Sequence, residues 1–266
     1  MREPGQPIEG YLDIETTGLS PTIVETRITL SNKGAAYLFP LYVNVGHSKI
    51  IQQKLLGDDL KNSASNFTKA FIDAVEDRLN LTVVSDRLVT NQKVISPNDI
   101  LNYIYAIFYS PTFRTRYAGF LKMDFPRLPL TSSLDLFHNL SKLGGELVAL
   151  HLMESPKLNT PITEWDGPTP SNEVEKVTYS DKAVWTDKAQ TEGFCGVTEN
   201  VWNFHIGGYQ VCEKWLKDRK GRVLSAEDIT HYQKIVVALN ETIRLMKEID
   251  EVIEEHGGWP GAFVIE

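Results

Sequence analysis

From residue 229 onward, Ile229, Tyr232, Ile235, Val236, Leu239, Ile243, Met246, Ile249, Val252 and Ile253 recur at steps of three and four. That period keeps one face apolar over about seven turns of α-helix, and a stripe of that length has to be covered by other parts of the chain. Ser225-Ala226-Glu227-Asp228 supplies a capping-box-like start, with Asp in place of the usual Glu. The spacing predicts one helix from there to Glu255, stopped by Gly257-Gly258. Its acidic tail repels phosphate, so it reads as a structural spacer.

Upstream the pattern is also mainly helical. Phe67, Phe71, Val75 and Leu79 share one helical face within 66–79. Ser96-Pro97-Asn98-Asp99 is a helix start, with cap, proline at the first position and acid at the third. Ser110-Pro111 restarts a helix through "TFRTRYAGFLK", and Ser132 or Ser133 begins another to about Leu152. The Gly144-Gly145 pair inside it reads as close packing. "AAYLFPLYV" (35–43) reads as a buried strand interrupted at Pro40. Residues 154–172 turn rich in Pro, Ser, Thr and Asn, which marks an internal boundary or a long surface loop. Beyond it, "VEKVTYSDKAVWTD" alternates around Ser-Asp-Lys as a hairpin should, and "GFCGV" and "VWNFHI" read as further short strands. Gly207-Gly208 then breaks into a helix over "YQVCEKWLKDR". The fold class predicted is α+β: a helical N-terminal half, a short antiparallel β region and a long C-terminal helix.

Charge limits what such a chain can bind. With 266 residues, enough for one large domain or two small ones, it carries a formal net charge of −8, so no global field draws it to nucleic acid. A nucleic-acid role needs a local basic patch. Cys195 and Cys212 have no metal-ligand spacing and fit a reduced, cytoplasmic protein. No apolar run is long enough for a membrane span, and Met1 to Gly10 has no apolar signal core.

The motifs that carry chemistry are few. "YLDIETTGL" (11–19) resembles the strand that opens the metal site of two-metal 3′–5′ exonucleases, with Asp13 and Glu15 as the first carboxylate pair. The third and fourth carboxylates of that family have no counterpart in context, so the pair reads as a strand end with two solvent-facing acids. There is no phosphate-binding Gly-x-x-x-x-Gly-Lys loop and no Gly-x-Ser-x-Gly elbow. The six histidines form no pair at ligand spacing, and no metal site is predicted; His138 and His151 lie in a helical pattern as surface or packed residues.

The stretch 201–224, "VWNFHIGGYQVCEKWLKDRKGRVL", combines two features. Lys214, Lys217, Arg219, Lys220 and Arg222 concentrate positive charge beside a turn at Gly221, and Trp202, Phe204, Tyr209 and Trp215 interleave with them. Flexible cations beside a turn suit DNA phosphates, and guanidinium planes suit phosphate or guanine edges. The same cations would also complement the dipole at a solvated helix end. On charge alone the two readings are equal.

This stretch and its continuation "LSAEDITHYQKIVVALNETIRLMKEID" resemble the C-terminal specificity domain of type ISP restriction–modification enzymes and of related fused type II restriction–methylation enzymes. "AAYLFPLYV", "ILNYIYAIFYSPTFRTRYAGFLKMDFPRLPL" (101–130) and "LGGELVALHLMES" (143–155) resemble the same family in the same order. The resemblance divides the chain into a segment 1–34 outside it, a helical part 35–155, and a part 173–255 with the hairpin region and C-terminal helices. It implies a target-recognition domain that reads double-stranded DNA for an adenine methyltransferase, and for linked helicase and nuclease modules. Lys214, Lys217, Arg219, Lys220 and Arg222 would bind phosphates; Lys182, Lys188, Gln190, Asn203 and His205 would read bases. The Asn-Pro-Pro-Tyr/Phe motif and glycine-rich turn of such methyltransferases do not occur here. No cofactor is therefore expected in this chain; S-adenosylmethionine and magnesium would belong to partner modules, and the chain reads as a recognition fragment or split subunit without catalysis of its own. Two alternatives remain: an exonuclease-like protein built on Asp13 and Glu15, and a helical protein-interaction domain.

Overall fold

The helix starts predicted at Ser96, Ser110, Ser133 and Ser225 are each capped by the serine hydroxyl. The structure, a computed structural model, describes residues 11–13, 41–44, 63–84, 91, 93–123, 126–167 and 171–264. It divides into two units, Met1–Gly145 with Lys247–Glu266, and Glu146–Met246. The fold is α+β, with short sheets and a long C-terminal helix.

In the first unit, α1 (Lys69–Leu79) is capped by the Thr68 hydroxyl, which accepts from the Phe71 N–H at 3.3 Å. It buries Phe71, Val75 and Leu79, with Phe67 buried just ahead of it. α2 (Pro97–Tyr109) begins with a complete capping box: Ser96 Oγ accepts from the Asp99 N–H, and Asp99 Oδ2 accepts from the Ser96 N–H. Such a cap contributes about 1 kcal/mol. Ser110 ends α2 and caps α3 (Pro111–Arg116), accepting from the Phe113 N–H at 3.0 Å. α3 is shorter than the sequence predicts. The chain leaves it at Tyr117 and returns to a single 3-10 turn at Phe120–Lys122, past the helix-weakening Gly119.

α4 (Leu134–His151) starts under Ser133, whose Oγ accepts from the Leu136 N–H at 3.2 Å. It lies against α2 closely enough that a Cβ on Gly144 would stand 1.8 Å from the Asn102 carbonyl oxygen. The glycine pair is there for close packing. Tyr103 of α2 stacks on Phe137 of α4 with ring centroids 4.9 Å apart, and its hydroxyl donates to the Pro129 carbonyl at 2.7 Å.

The first unit's strands are short. β1 (Tyr11–Asp13) pairs antiparallel with β6 (Arg127–Pro129), β2 (Tyr42–Asn44) antiparallel with β3 (Ser63–Ser65), and β4 (Thr82–Val83) parallel with β5 (Val94–Ile95). Most of the strand predicted over 35–43 lies outside the described residues, as do Glu15 and the side chain of Asp13.

The second unit holds a four-stranded antiparallel sheet in the order β7-β10-β9-β8, made of β7 (Glu164–Asp166), β8 (Thr178–Ser180), β9 (Ala183–Trp185) and β10 (Gly193–Cys195). The predicted hairpin is β8–β9. β7 is a correction: part of the stretch read as boundary or loop is an edge strand, paired through Trp165 opposite Phe194. A second correction concerns "VWNFHI". Val201 and Trp202 belong to a short helix, α5 (Glu199–Trp202), and only His205–Ile206 forms a strand, β11. The third concerns Gly207-Gly208, which turns a hairpin from β11 into β12 (Tyr209–Gln210) before α6 (Val211–Lys217) begins.

The long helix α7 (Ala226–Glu255) starts with the Ser225–Asp228 box and ends at the residue predicted. Its Tyr232, Val236 and Leu239 join Val184, Phe194, Val201, Cys212 and Leu216 in one buried cluster. Tyr232 packs on Phe194 with ring centroids 4.2 Å apart. At about 25 cal/mol per Å² of apolar surface, full burial of each large side chain contributes roughly 1.5–3 kcal/mol before entropy is counted. Among the described residues, no helix is long and apolar enough to cross a membrane.

Candidate nucleic-acid interface

The residues singled out from the sequence fall at four places in the second unit. Lys182 sits in the two-residue turn between β8 and β9. Asp181 and Lys182 have φ of 52° and 59°, so both are left-handed, as a type I′ hairpin turn requires. The Lys182 carbonyl accepts from the Gly196 and Val197 N–H groups, both at 2.9 Å, which fixes the turn while its side chain stays exposed.

Lys188 and Gln190 sit in the loop from β9 to β10. Asp187 organises this loop: its carboxylate accepts from the N–H groups of Thr191 and Glu192 and from the Thr191 hydroxyl, at 2.9–3.1 Å. Partial burial opposes ionisation of Asp187, but these donors outweigh it and hold its pKa below the usual carboxylate value. Both Lys188 and Gln190 are exposed; Gln190 Nε2 donates to Thr178 Oγ1 at 3.3 Å, and Lys188 Nζ is 3.8 Å from Glu175. β9 runs from one loop to the other, so Lys182 is at its opposite end from Lys188 and Gln190, separated by about 10 Å of strand. The sheet does not bring these three together.

Asn203 and His205 are neighbours at the foot of the β11–β12 hairpin, and both are exposed. The Asn203 carbonyl is 2.6 Å from His205 Nδ1, so Nδ1 carries the donated proton. Gln210 Nε2 donates to the Trp202 carbonyl, and Val211 N–H to the Phe204 carbonyl at 3.3 Å; these tie the hairpin down. Trp202 itself stacks on Tyr179 of β8, with centroids 5.1 Å apart and planes 8° from parallel.

The five cations sort into three kinds. Lys214 pairs with Asp218, and Lys217 with Glu213 at 2.8 Å, both one helical turn apart on exposed faces. Arg219 is partly buried: its guanidinium lies 3.5 Å from the Trp215 ring centroid, it donates to the Trp215 carbonyl at 3.1 Å, and Nε is 3.5 Å from Asp228. The Asp228 carboxyl is held below its usual pKa, first by the Ser225 N–H; burial opposes this, and the Ser225 hydroxyl and Arg219 add to the lowering. Lys220 and Arg222 are exposed, and neither has an ion pair among the described residues. Their turn is pinned to the chain between β7 and β8, since Gly221 N–H donates to the Val174 carbonyl at 2.8 Å and Val174 N–H to the Arg222 carbonyl at 3.0 Å.

The pairing of two residues at this site escapes a reading of the sequence, which singles out Tyr209 only as one of the interleaved aromatics. Ile206 and Tyr209 face each other across the β11–β12 ladder and are 43 % and 46 % exposed. The signal is present, because a Gly-Gly pair flanked by apolar residues is a hairpin pattern. Among the described residues, no three His, Cys, Asp or Glu side chains gather as metal ligands.

Comparison with known proteins finds one family model and several solved structures. Residues 19–248 match the family model described as Type ISP C-terminal specificity domain. Among solved structures, a cryoEM structure of a DrdV–DNA complex aligns with a TM-score of 0.51 at 18 % identity, over 71 % of this chain and 20 % of that one. The ATP-dependent Type ISP restriction-modification enzyme LlaBIII bound to DNA aligns with a TM-score of 0.48 at 17 % identity, over 86 % of this chain and 14 % of that one. A nuclease-deletion mutant of the Type ISP enzyme LlaGI, in complex with a DNA substrate mimic, gives 0.40 at 22 % identity, over 64 % and 14 %. The chain thus spans a fifth or less of the length of these three chains. No curated protein matches it.

Proposed function

This chain belongs to the Type ISP C-terminal specificity domain family, and from that premise we propose that it reads a double-stranded DNA target for a restriction–modification system in the cytoplasm. Under this reading it performs no chemistry. An adenine methyltransferase module modifies the site that it selects, helicase and nuclease modules act where the site is unmodified, and S-adenosylmethionine and magnesium belong to those modules. The observation that carries the reading is the exposed pair Lys220 and Arg222, held on a pinned turn of an otherwise acidic chain. Cations without ion pairs among the described residues are free to meet phosphates. Lys214 and Lys217 join them at small cost, because an exposed ion pair contributes about 0–1 kcal/mol. Arg219 instead braces Trp215, and its guanidinium edge is what remains for phosphate.

Base reading falls to exposed polar side chains on turns that the backbone holds still: Lys182, Lys188, Gln190, Asn203 and His205. Fixed loops suit this work, since edge contacts in the major groove distinguish all four base pairs only when donors and acceptors are held in register. A mobility-shift assay with duplex DNA in the absence of magnesium tests the reading. The duplex should be retarded and recovered intact. No retardation at low salt, or strand shortening once magnesium is added, would overturn it, the second in favour of the Asp13–Glu15 exonuclease.

A further inference from the structure

We propose that the β11–β12 hairpin is a ribbon that enters the DNA major groove, where Ile206 and Tyr209 meet thymine methyl groups. The inference rests on the recognition reading above and adds an apolar contact to it. Four observations support it.

The tip is bare. Gly207 and Gly208 have φ of 56° and 89°, conformations that other residues rarely take, and nothing lies within 4 Å of where a Cβ on Gly208 would be. Immediately behind the turn stand Ile206 and Tyr209, directly opposite each other and about half exposed. A lone exposed apolar side chain is ordinary, but two facing each other behind a glycine tip form a small apolar edge.

The ribbon has the size of the groove. Paired strands lie about 4.8 Å apart and two residues of strand rise about 7 Å, against a major groove about 12 Å wide and 8.5 Å deep. The foot is held as a reading element must be, by the hydrogen bonds of Asn203, Gln210 and Val211.

The charge suits DNA. No acid occurs from Asn203 to Gln210, and from 203 to 222 five cations stand against two acids, Glu213 and Asp218. Lys214 Nζ lies 5.9 Å from the Tyr209 ring centroid, at the side of the ribbon where a groove's phosphate wall would run. The apolar area is also too small for a protein docking surface, being two side chains bordered by His, Asn, Gln and Lys.

Thymine offers the major groove its one methyl group, and deoxyuridine removes only that group. Duplexes selected by the 266-residue chain from a randomised pool should therefore be compared with the same duplexes carrying deoxyuridine for thymidine. The selected site should contain a thymine whose replacement weakens binding about fourfold. Ile206→Ala should weaken binding to the thymidine duplex by a similar factor and abolish the discrimination, with an unchanged melting temperature because Ile206 is outside the core. Ile206→Val should keep part of it. A selected site indifferent to the replacement, or an Ile206→Ala variant that binds and discriminates like the parent, overturns the ribbon and leaves the recognition reading standing. Failure to bind any duplex overturns both.

Discussion

Trp215 contacts Tyr232, with ring centroids 5.3 Å apart, and carries the Arg219 guanidinium over its ring, so one residue joins the basic stretch to the buried cluster. Replacing it by alanine removes the packing on α7 and the stacking surface of Arg219 together. Loss of a buried tryptophan costs about 3–5 kcal/mol, and partial exposure puts Trp215→Ala near 3 kcal/mol. A thermal melt followed by circular dichroism should fall by several degrees, while Trp215→Phe, which keeps a ring for Arg219 to cover, should recover most of the loss. An unchanged melt would mean that the ring stabilises nothing. At this scale the sequence shows where positive charge collects but not how it is used. The Lys214–Asp218 and Glu213–Lys217 pairs are legible, as each is four apart on a helix. The Arg219–Asp228 contact is not, because it spans the Gly221 turn and depends on how α6 and α7 pack.

Helices and strands differ in how plainly the sequence writes them. α1, α2, α4 and α7 announce themselves by local chemistry: a hydroxyl cap, a proline at the first position or an acid at the third, then a sustained apolar period. Strands such as β7, β11 and β12 have two or three residues and no period to read, so the pairing that defines them shows in the sequence at most as a turn. Gly207-Gly208 misleads for the same reason, as a turn between strands of two residues looks like a break before a helix. The glycine pair in α4 is legible because glycine weakens a helix, and a strong helical pattern keeps it where a neighbour has to come close. Gly144→Ala tests that packing directly. The added methyl would meet backbone rather than a side chain that can swing aside, at 1.8 Å from the Asn102 oxygen, so α2 or α4 has to shift. Overpacking costs about 1–3 kcal/mol, and a backbone clash belongs at the upper end. Urea unfolding should show a lowered midpoint for Gly144→Ala; a midpoint equal to the parent's would mean that the helices are not this close.

For the whole molecule, a net charge of −8 means that duplex DNA is repelled everywhere except where cations are concentrated and unpaired. Every phosphate contact releases counterions, so the slope of log affinity against log salt counts contacts independently of sequence. Of the five cations in the basic stretch, Lys220 and Arg222 are the most free to make them, lying exposed without ion pairs among the described residues. Replacing both with alanine should lower the slope by about 0.9 for each contact, nearly two in all, and weaken binding to every duplex alike. Lys214→Ala and Lys217→Ala should lower it less, because each lysine first has to leave a carboxylate and its removal also frees that acid. Asn203→Ala should relax preference at one position with the slope unchanged, since a base contact displaces no counterion. Titrations at several salt concentrations, with selected and arbitrary duplexes, separate these outcomes. If the slope is unchanged in the Lys220→Ala, Arg222→Ala double variant, this turn faces solvent in the complex, and its cations serve the helix end that they follow rather than DNA.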